Sequence, residues 1–302
     1  MFSYFGEWLL ATAWVFLGDP TSGEIRAWSG TSSAAPRVLT GLVDLRALGA
    51  DRARGLWVAH GSPARSLARA EIARTPWGPR AVRVQRLELA LPIRALAAGA
   101  GASCVALLES GALALVRAEE RGLAVAGEEE WPPLQALASD ARGALLLASE
   151  DGALHRVDAG DLRFAAARRV AAPGASIEAL AWCEARACWL AVESGGAALR
   201  CLDRAGAEHL RLALPFPALA ATGTSSRLWV ASASENFVAS VDLGSAQPLW
   251  RAEEVPPGDL RALFARGSRV VAIGSTRWAW RRRGAWLAAA GGPGLCAVEQ
   301  PR

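Results

Sequence analysis

The feature that most limits what this chain can fold into is a repeat. An aliphatic residue, one variable residue, Ala and Leu recur as LRAL at 45–48, IRAL at 93–96, LQAL at 134–137, IEAL at 177–180 and LRAL at 260–263. PALA at 217–220 is a weaker copy, read with Leu219 in register. The marker Leu positions are 48, 96, 137, 180, 219 and 263, a span of 215 residues with an average step of 43. The tetrad LWVA obeys the same spacing: its two copies, Leu56–Ala59 and Leu228–Ala231, lie 172 residues apart, which is four repeats. A fixed period of this size marks units that bury their apolar faces only against neighbouring units.

Each copy is followed by a polar or Gly-containing turn and then a hydrophobic strand. These read GLWVAHG, SCVALLESG, ALLLASEDG, ACWLAVESG, RLWVASAS and RVVAIGS, and TAWVFLG at 12–18, preceded by GEWLLA, is an earlier member. Third strands follow as ALHRVDAG, ALRCLDRAG and FVASVDLG, closed in the same place by Asp158, Asp203 and Asp242. Fourth strands precede the next unit as AVRVQRLELALP, RFAAARRVAAP, EHLRLALP and QPLWRAEEVP, with partial period-two alternation and a Pro that ends the strand. Thirty Gly and 16 Pro are too dense for long helices. Seven units of four short strands fill the 302 residues.

The unit LQALASDARGALLLASEDGALHRVD, at 134–158, resembles a degenerate WD-type or NHL-type β-propeller repeat. It has the short first strand, the D-x-x-G turn from Asp140 to Gly143, small residues after the second strand and the D-G turn at Asp151 and Gly152. The G-H and W-D dipeptides of true WD repeats are absent. The resemblance implies a single all-β domain, a seven-bladed β-propeller with approximate blades 1–42, 43–91, 92–132, 133–173, 174–215, 216–257 and 258–302. Six or eight blades fit less regular boundaries. A pair of β-sandwiches would give no reason for the 43-residue period. It also implies that one terminus completes a blade, through Met1–Phe5 or through GLCAVEQ at 294–300.

Composition removes several function classes. All 33 basic residues are Arg, so P-loop, Schiff-base and lysine-base chemistry are excluded. The net charge of +4 is scattered, whereas nucleic-acid binders concentrate theirs on one face. A single Asn, Asn236, argues against the Glu/Asn/Asp calcium site of propeller lactonases, and neither G-x-S-x-G nor a D-x-D-x-D calcium loop occurs. Quinone-type dehydrogenase propellers repeat a Trp-Gly motif that occurs once here, at Trp77-Gly78. No cofactor is expected. The first 25 residues carry no basic residue and the apolar stretch Leu9–Leu17 is too short to span a bilayer, so the expectation is a cytoplasmic protein, free of the membrane, with reduced Cys.

Three groups of candidate residues remain. Cys183, Cys188, Cys201 and His209 carry metal-competent side chains without tight knuckle spacing; the alternatives are zinc, a Cys183–Cys188 disulfide across a four-residue hairpin loop, or buried apolar thiols. RWAWRRRGAW at 277–286 puts Trp278 and Trp280 on one strand face, Arg277 and Arg281 on the other, and Arg282 and Arg283 at the turn. It reads as an interaction surface, with Trp stacking on bases and Arg on phosphates, or as an ordinary outer hairpin. The variable residues of the repeat, Arg46, Arg94, Gln135, Glu178, Ala218 and Arg261, lie near the channel mouth by the propeller resemblance. They either bind an acidic peptide or small anion or form a solvated rim. Second-strand Trp residues, Trp14, Trp57, Trp189 and Trp229, are read as wedges between blades. The expected function is a non-enzymatic protein-interaction scaffold in a bacterial multi-protein system, such as one built on a MoxR-type AAA+ ATPase and a von Willebrand A protein. A ligand-binding or hydrolytic propeller with a channel site, and a nucleic-acid-associated one, are the alternatives.

Overall fold

The computed structural model describes residues 15–19, 22–28, 36–51, 53–75, 78–99, 101–140, 142–158, 161–172, 174–196, 198–244, 249–255, 260–266, 269–274, 278–282, 285–288 and 296–299. They form seven four-stranded antiparallel sheets arranged as a seven-bladed propeller. Blade one holds β1 (Val15–Asp19), β2 (Glu24–Trp28) and β3 (Arg37–Leu39). Blade two is β4 (Ala47–Ala50), β5 (Gly55–His60), β6 (Ser66–Thr75) and β7 (Gly78–Glu88), and blade three is β8 (Ile93–Ala98), β9 (Ser103–Leu108), β10 (Leu113–Ala118) and β11 (Leu123–Glu129). Blade four is β12 (Leu134–Ser139), β13 (Ala144–Ser149), β14 (Leu154–Asp158) and β15 (Arg168–Ala171). Blade five is β16 (Ile177–Cys183), β17 (Cys188–Glu193), β18 (Ala198–Leu202) and β19 (Glu208–Ala213). Blade six is β20 (Ala218–Gly223), β21 (Arg227–Ser232), β22 (Phe237–Asp242) and β23 (Arg251–Glu254). Blade seven is β24 (Leu260–Arg266), β25 (Arg269–Gly274), β26 (Trp278–Arg282) and β27 (Ala285–Ala288). The last strand, β28 (Cys296–Glu299), returns to blade one as its first strand and pairs antiparallel with β1, Val15 facing Glu299 and Gly18 facing Cys296. Of the two segments expected to close the ring, GLCAVEQ therefore supplies the strand; Met1–Phe5, GEWLLA and Trp14 lie outside the described residues. Among the described residues no helix is long and apolar enough to cross a membrane.

The first strands β28, β4, β8, β12, β16, β20 and β24 contact one another in a closed ring around the axis. The apolar core lies between the blades, in seven separate wedges, one for each pair of neighbours. Second strands such as β9 and β13 are buried at every position, as a strand covered on both faces must be.

The repeat motif has a packing meaning. Its Leu faces the preceding blade: Leu48, Leu96, Leu137, Leu180 and Leu263 each enter the wedge behind their own blade. Its Ala faces the following blade: Ala47, Ala95, Ala136, Ala179, Ala220 and Ala262 enter the wedge ahead. Each seam therefore sets a small residue from one first strand near a large one from the next, which lets the strands crowd toward the axis without a void. The sixth copy needs a correction. Ala218 pairs with Ser232 and Ala220 with Ala231, as Leu134 pairs with Ser149 and Ala136 with Ala148. Leu219 thus takes the variable position and Ala221 the Leu position, and Ala218 is the buried first residue. Equivalent residues are then 96, 137, 180, 221 and 263, spaced 41 to 43 apart.

The two LWVA copies are equivalent, as their spacing requires. Trp57 and Trp229 both point into the wedge with the following blade. Trp189 sits one residue earlier relative to the motif and faces the other way, into blade four. Inverting one residue of register inverts the face.

Polar pins tie the first hairpins to the strands behind them. Asp51 is fully buried; its Oδ1 accepts the Gly55 N–H at 2.7 Å, and its Oδ2 accepts Trp57 Nε1–H and Arg69 Nε–H, both at 2.8 Å. In blade four Asp140 accepts the Arg142 and Ala144 N–H groups through Oδ1, which is what its D-x-x-G turn requires. Its Oδ2 faces Arg204 Nε of blade five at 3.2 Å, an ion pair without hydrogen-bond alignment, and Arg204 in turn lies over the Trp182 ring. Replacing Asp51 with Ala leaves the Arg69 guanidinium buried without its carboxylate. We expect a loss of about 3–5 kcal/mol in unfolding free energy by denaturant titration. Arg204→Ala, at a third-exposed side chain, should cost clearly less in the same titration.

Candidate functional site

A β-bulge recurs where the first strand begins. In blades three to seven the register shifts between Ile93 and Ala95, Leu134 and Ala136, Ile177 and Ala179, Ala218 and Ala220, and Leu260 and Ala262. The residue skipped each time is the variable one: Arg94, Gln135, Glu178, Leu219 and Arg261. Blade two does the same, since Arg46 N–H donates to Ala59 O while Ala47 also faces Ala59. A bulge inserts one unpaired residue and re-aims its side chain. Six consecutive blades therefore hold one variable residue at one common level of the ring.

Their surroundings differ. Arg46 is exposed and pairs with Asp44 at 3.3 Å. Arg94 is exposed and Nη1 donates to Leu134 O at 3.2 Å, at the start of the next first strand. Gln135 Oε1 accepts from Ser176 Oγ at 2.5 Å, again reaching the next blade. Glu178 is exposed and accepts from Ser194 Oγ at 3.3 Å, and Leu219 is half-buried. The Arg261 side chain lies outside the described residues. The arc thus runs from two cations through an amide to an anion and an apolar residue. Leu219 was not legible as a member because the marker Leu was assumed to occupy its usual slot.

The stretch at 277–286 is placed differently from its sequence expectation. Trp278 and Trp280 are 6% and 8% exposed and pack with Trp28 of blade one, ring centroids 5.1–5.5 Å apart. They close the seam between blades seven and one and are not presented at a surface for stacking. Arg281 faces the other seam, where Nε and Nη2 both bond the Glu253 carboxylate at 2.8 and 2.9 Å. Trp286 Nε1–H donates to the same carboxylate, and the Arg281 guanidinium lies 4.9 Å over Trp229. Arg282 and Arg283 side chains, and Arg277, lie outside the described residues.

Cys183, Cys188 and Cys201 are each 2% exposed in the wedge between blades five and six. His209 is exposed on β19 and is not brought to them; no metal-competent group of three occurs among the described residues. Of the alternatives weighed from the sequence, a single set of these four residues is not what the described structure assembles, and the three Cys are buried among apolar side chains. A constellation that spacing does not reveal lies in blade two. His60, Ser66 and Glu88 end up side by side on β5, β6 and β7, and Ser66 Oγ–H donates to Glu88 Oε2 at 2.6 Å. Burial, and then Arg86, hold the His60 imidazole below its ordinary pKa against the opposing pull of Glu88. Only the cross-strand register creates this row, so a linear motif could not show it.

No protein-family model matches the chain, and no curated protein matches it. Solved structures do. A putative 6-phosphogluconolactonase of Bacteroides fragilis is 11% identical over 96% of this chain and 99% of its own, with a TM-score of 0.72. A protein from Lactobacillus plantarum is 11% identical over 96% and 100%, with a TM-score of 0.69. The β-propeller domain of Myceliophteria thermophila Swd1 is 12% identical over 86% and 90%, with a TM-score of 0.68. At these identities the likeness is one of fold.

The roles assigned to the 277–286 stretch can be checked on stability. Arg281→Ala strips the Glu253 carboxylate of its two strongest donors and uncovers Trp229. We expect a loss of about 1–3 kcal/mol in unfolding free energy, whereas an exposed phosphate-binding Arg would cost almost nothing in that measurement.

Proposed function

We propose that this propeller is a non-enzymatic protein-recognition scaffold whose partner docks on the arc of bulge residues. The observation that carries the reading is the recurrence of the bulge itself. The residues on either side of it are held by packing, aliphatic before and Ala then Leu after (Ala218, Ala220 and Ala221 in blade six), while the bulged residue is the one that varies in charge. A constant frame with one re-aimed variable residue per blade is how a rigid ring specifies a partner without changing its core. With Arg46 and Arg94 adjacent and Glu178 two blades beyond, the complementary surface is an acidic segment that turns basic along its length. The proposed setting is a cytoplasmic bacterial assembly, and a MoxR-type AAA+ ATPase and a von Willebrand A protein are the first baits to try.

A hydrolytic reading draws on the Ser66–Glu88 pair and the neighbouring His60, with two structural neighbours described as putative 6-phosphogluconolactonases. In it Glu88 takes the Ser66 proton as the hydroxyl attacks an ester. This constellation sits on the outer three strands of blade two, not at the central channel.

The triple variant Arg46→Ala, Arg94→Ala, Glu178→Ala tests the scaffold reading. We expect unchanged thermal unfolding within about 0.5 kcal/mol per site, because the side chains are exposed, and at least a tenfold loss of affinity for the partner recovered by pull-down. Unchanged affinity would sink the proposal. Covalent labelling by a fluorophosphonate probe, lost in Ser66→Ala, would move the assignment to the hydrolytic reading; an unlabelled Ser66 removes it.

A further inference from the structure

The seam between blades five and six is built unlike the others. It is the one described seam where the motif supplies two small residues, Ala179 and Ala221, and three buried thiols, Cys183, Cys188 and Cys201, lie in the same cluster. Cys183 and Cys188 are direct cross-strand partners on the last rung of the β16–β17 hairpin. The Cys188 thiol, and after it the Arg186 and Ala185 backbone, are the favourable electrostatic influences on the Cys183 sulfur. The four-residue loop between them is a 3-10 turn, Glu184–Arg186, followed by Ala187 in the left-handed region at φ 50°; all four residues are exposed.

We propose that Cys183 and Cys188 are a redox-active dithiol, a modification site for disulfide oxidants such as oxidised glutathione, with Cys183 attacking and Cys188 resolving. Among the described cysteines Cys183 is the one whose negative charge is favoured: by the Cys188 thiol first, then the loop backbone, with Arg186 adding to them, and together they lower its pKa. The same pairing raises that of Cys188. Burial pushes Cys201 up to about 12 and Cys104 well above its ordinary value, so both stay protonated and inert. The Cys183 thiolate attacks one sulfur of the oxidant, forming a mixed disulfide and releasing one glutathione thiolate. Cys188 loses its proton to that thiolate and attacks Cys183 Sγ, forming the intramolecular bond and releasing the second. Two protein thiols are oxidised and one small disulfide is reduced, with no other co-reactant.

Both thiols are buried, so the oxidant reaches them when the exposed 184–187 loop that joins their two strands opens. The consequence falls on the seam. A Cβ on Gly223 of blade six would stand 2.6 Å from Cys183 Sγ, and Arg186 Nη1 donates to Ser225 O of that blade at 2.9 Å. A bond to Cys188 therefore alters the sulfur that faces Gly223 of blade six.

Trypsin cuts after Arg186, so the bond would join the peptides 170–186 and 187–200. The folded full-length protein is incubated with oxidised glutathione, alkylated with iodoacetamide, digested and mapped by mass spectrometry. We expect that linked pair, with Cys104 and Cys201 recovered as thiols alkylated only after denaturation. Cys188→Ser should trap a glutathione adduct on Cys183, and Cys201→Ser should leave the linkage unchanged. The proposal is overturned if the pair links only after unfolding in urea, or if glutathione in Cys188→Ser is found equally on Cys201. The wild-type mapping needs no variant, so a misfolded mutant would not shield the idea.

Discussion

Everything in this fold depends on a size mismatch between neighbouring first strands. A four-stranded sheet of five-residue strands has two apolar faces and no means of covering either by itself. Near the axis, seven such sheets must also converge without colliding. The chain meets both demands with one motif, in which Leu fills the wedge behind its own blade and Ala leaves room in the wedge ahead. The seam between blades two and three, for example, sets Ala47 near Leu96. Farther from the axis the wedges widen, and the second strands fill them with larger groups, among them Trp57, Trp189 and Trp229, all nearly or fully buried. Each ring adds several kcal/mol at roughly 25 cal/mol per Å2 of buried apolar area.

Polar groups enter this core as pins at its edges. Asp51 with Arg69, Asp140 with Arg204, Glu193 with Arg211 and Glu253 with Arg281 each hold a carboxylate and a guanidinium across strands or across a seam. Several add a Trp: Trp57 Nε1–H and Trp286 Nε1–H share the carboxylate, and Arg69, Arg204 and Arg281 lie over indole rings. A planar guanidinium can bond at its edge and stack on its face at once, which an ammonium cannot. Arg therefore suits these pins where Lys would not. Their net value is modest, because desolvation offsets much of the attraction. Asp51–Arg69 and Glu193–Arg211 tie strands within one blade, whereas Asp140–Arg204 and Glu253–Arg281 join neighbouring blades.

Architecture was largely legible in the sequence because it rests on period and alternation, and both are linear properties. The seven-fold repeat, the second-strand runs and the equivalence of Trp57 with Trp229 all follow from spacing. What was not legible rests on register and on contacts across seams. The sixth motif copy was misaligned because Leu219 looks like the marker Leu, yet a bulge places it one slot from the Ala that matters. Trp278 and Trp280 looked like a surface beside a run of Arg; their burial depends on Trp28, some 250 residues away in sequence and adjacent only because the ring closes. The row of His60, Ser66 and Glu88 exists only through strand pairing. The variable residues were legible as a set, but not the reason they vary.

That reason connects the fold to what it does. In a regular strand, alternate residues face the two seams, so every side chain of a first strand is constrained by packing on one side or the other. A bulge breaks the alternation at one point and re-aims one residue, although Leu219 still packs against the seam between blades six and seven. Placed at the same step in successive blades, the bulge turns a packing defect into a shared level whose exposed side chains can change without touching the core. Arg94 and Gln135 show the transition: each still reaches across to the next blade, to Leu134 O and to Ser176, yet neither enters a wedge. The seam between blades five and six is the complementary case. There the motif itself is altered, Leu giving way to Ala221, and three buried thiols share the seam. The bulge residues Arg46, Arg94 and Glu178 are exposed, whereas the altered residues of this seam lie in the buried contact between two blades, so the two kinds of variation fall in different parts of the fold.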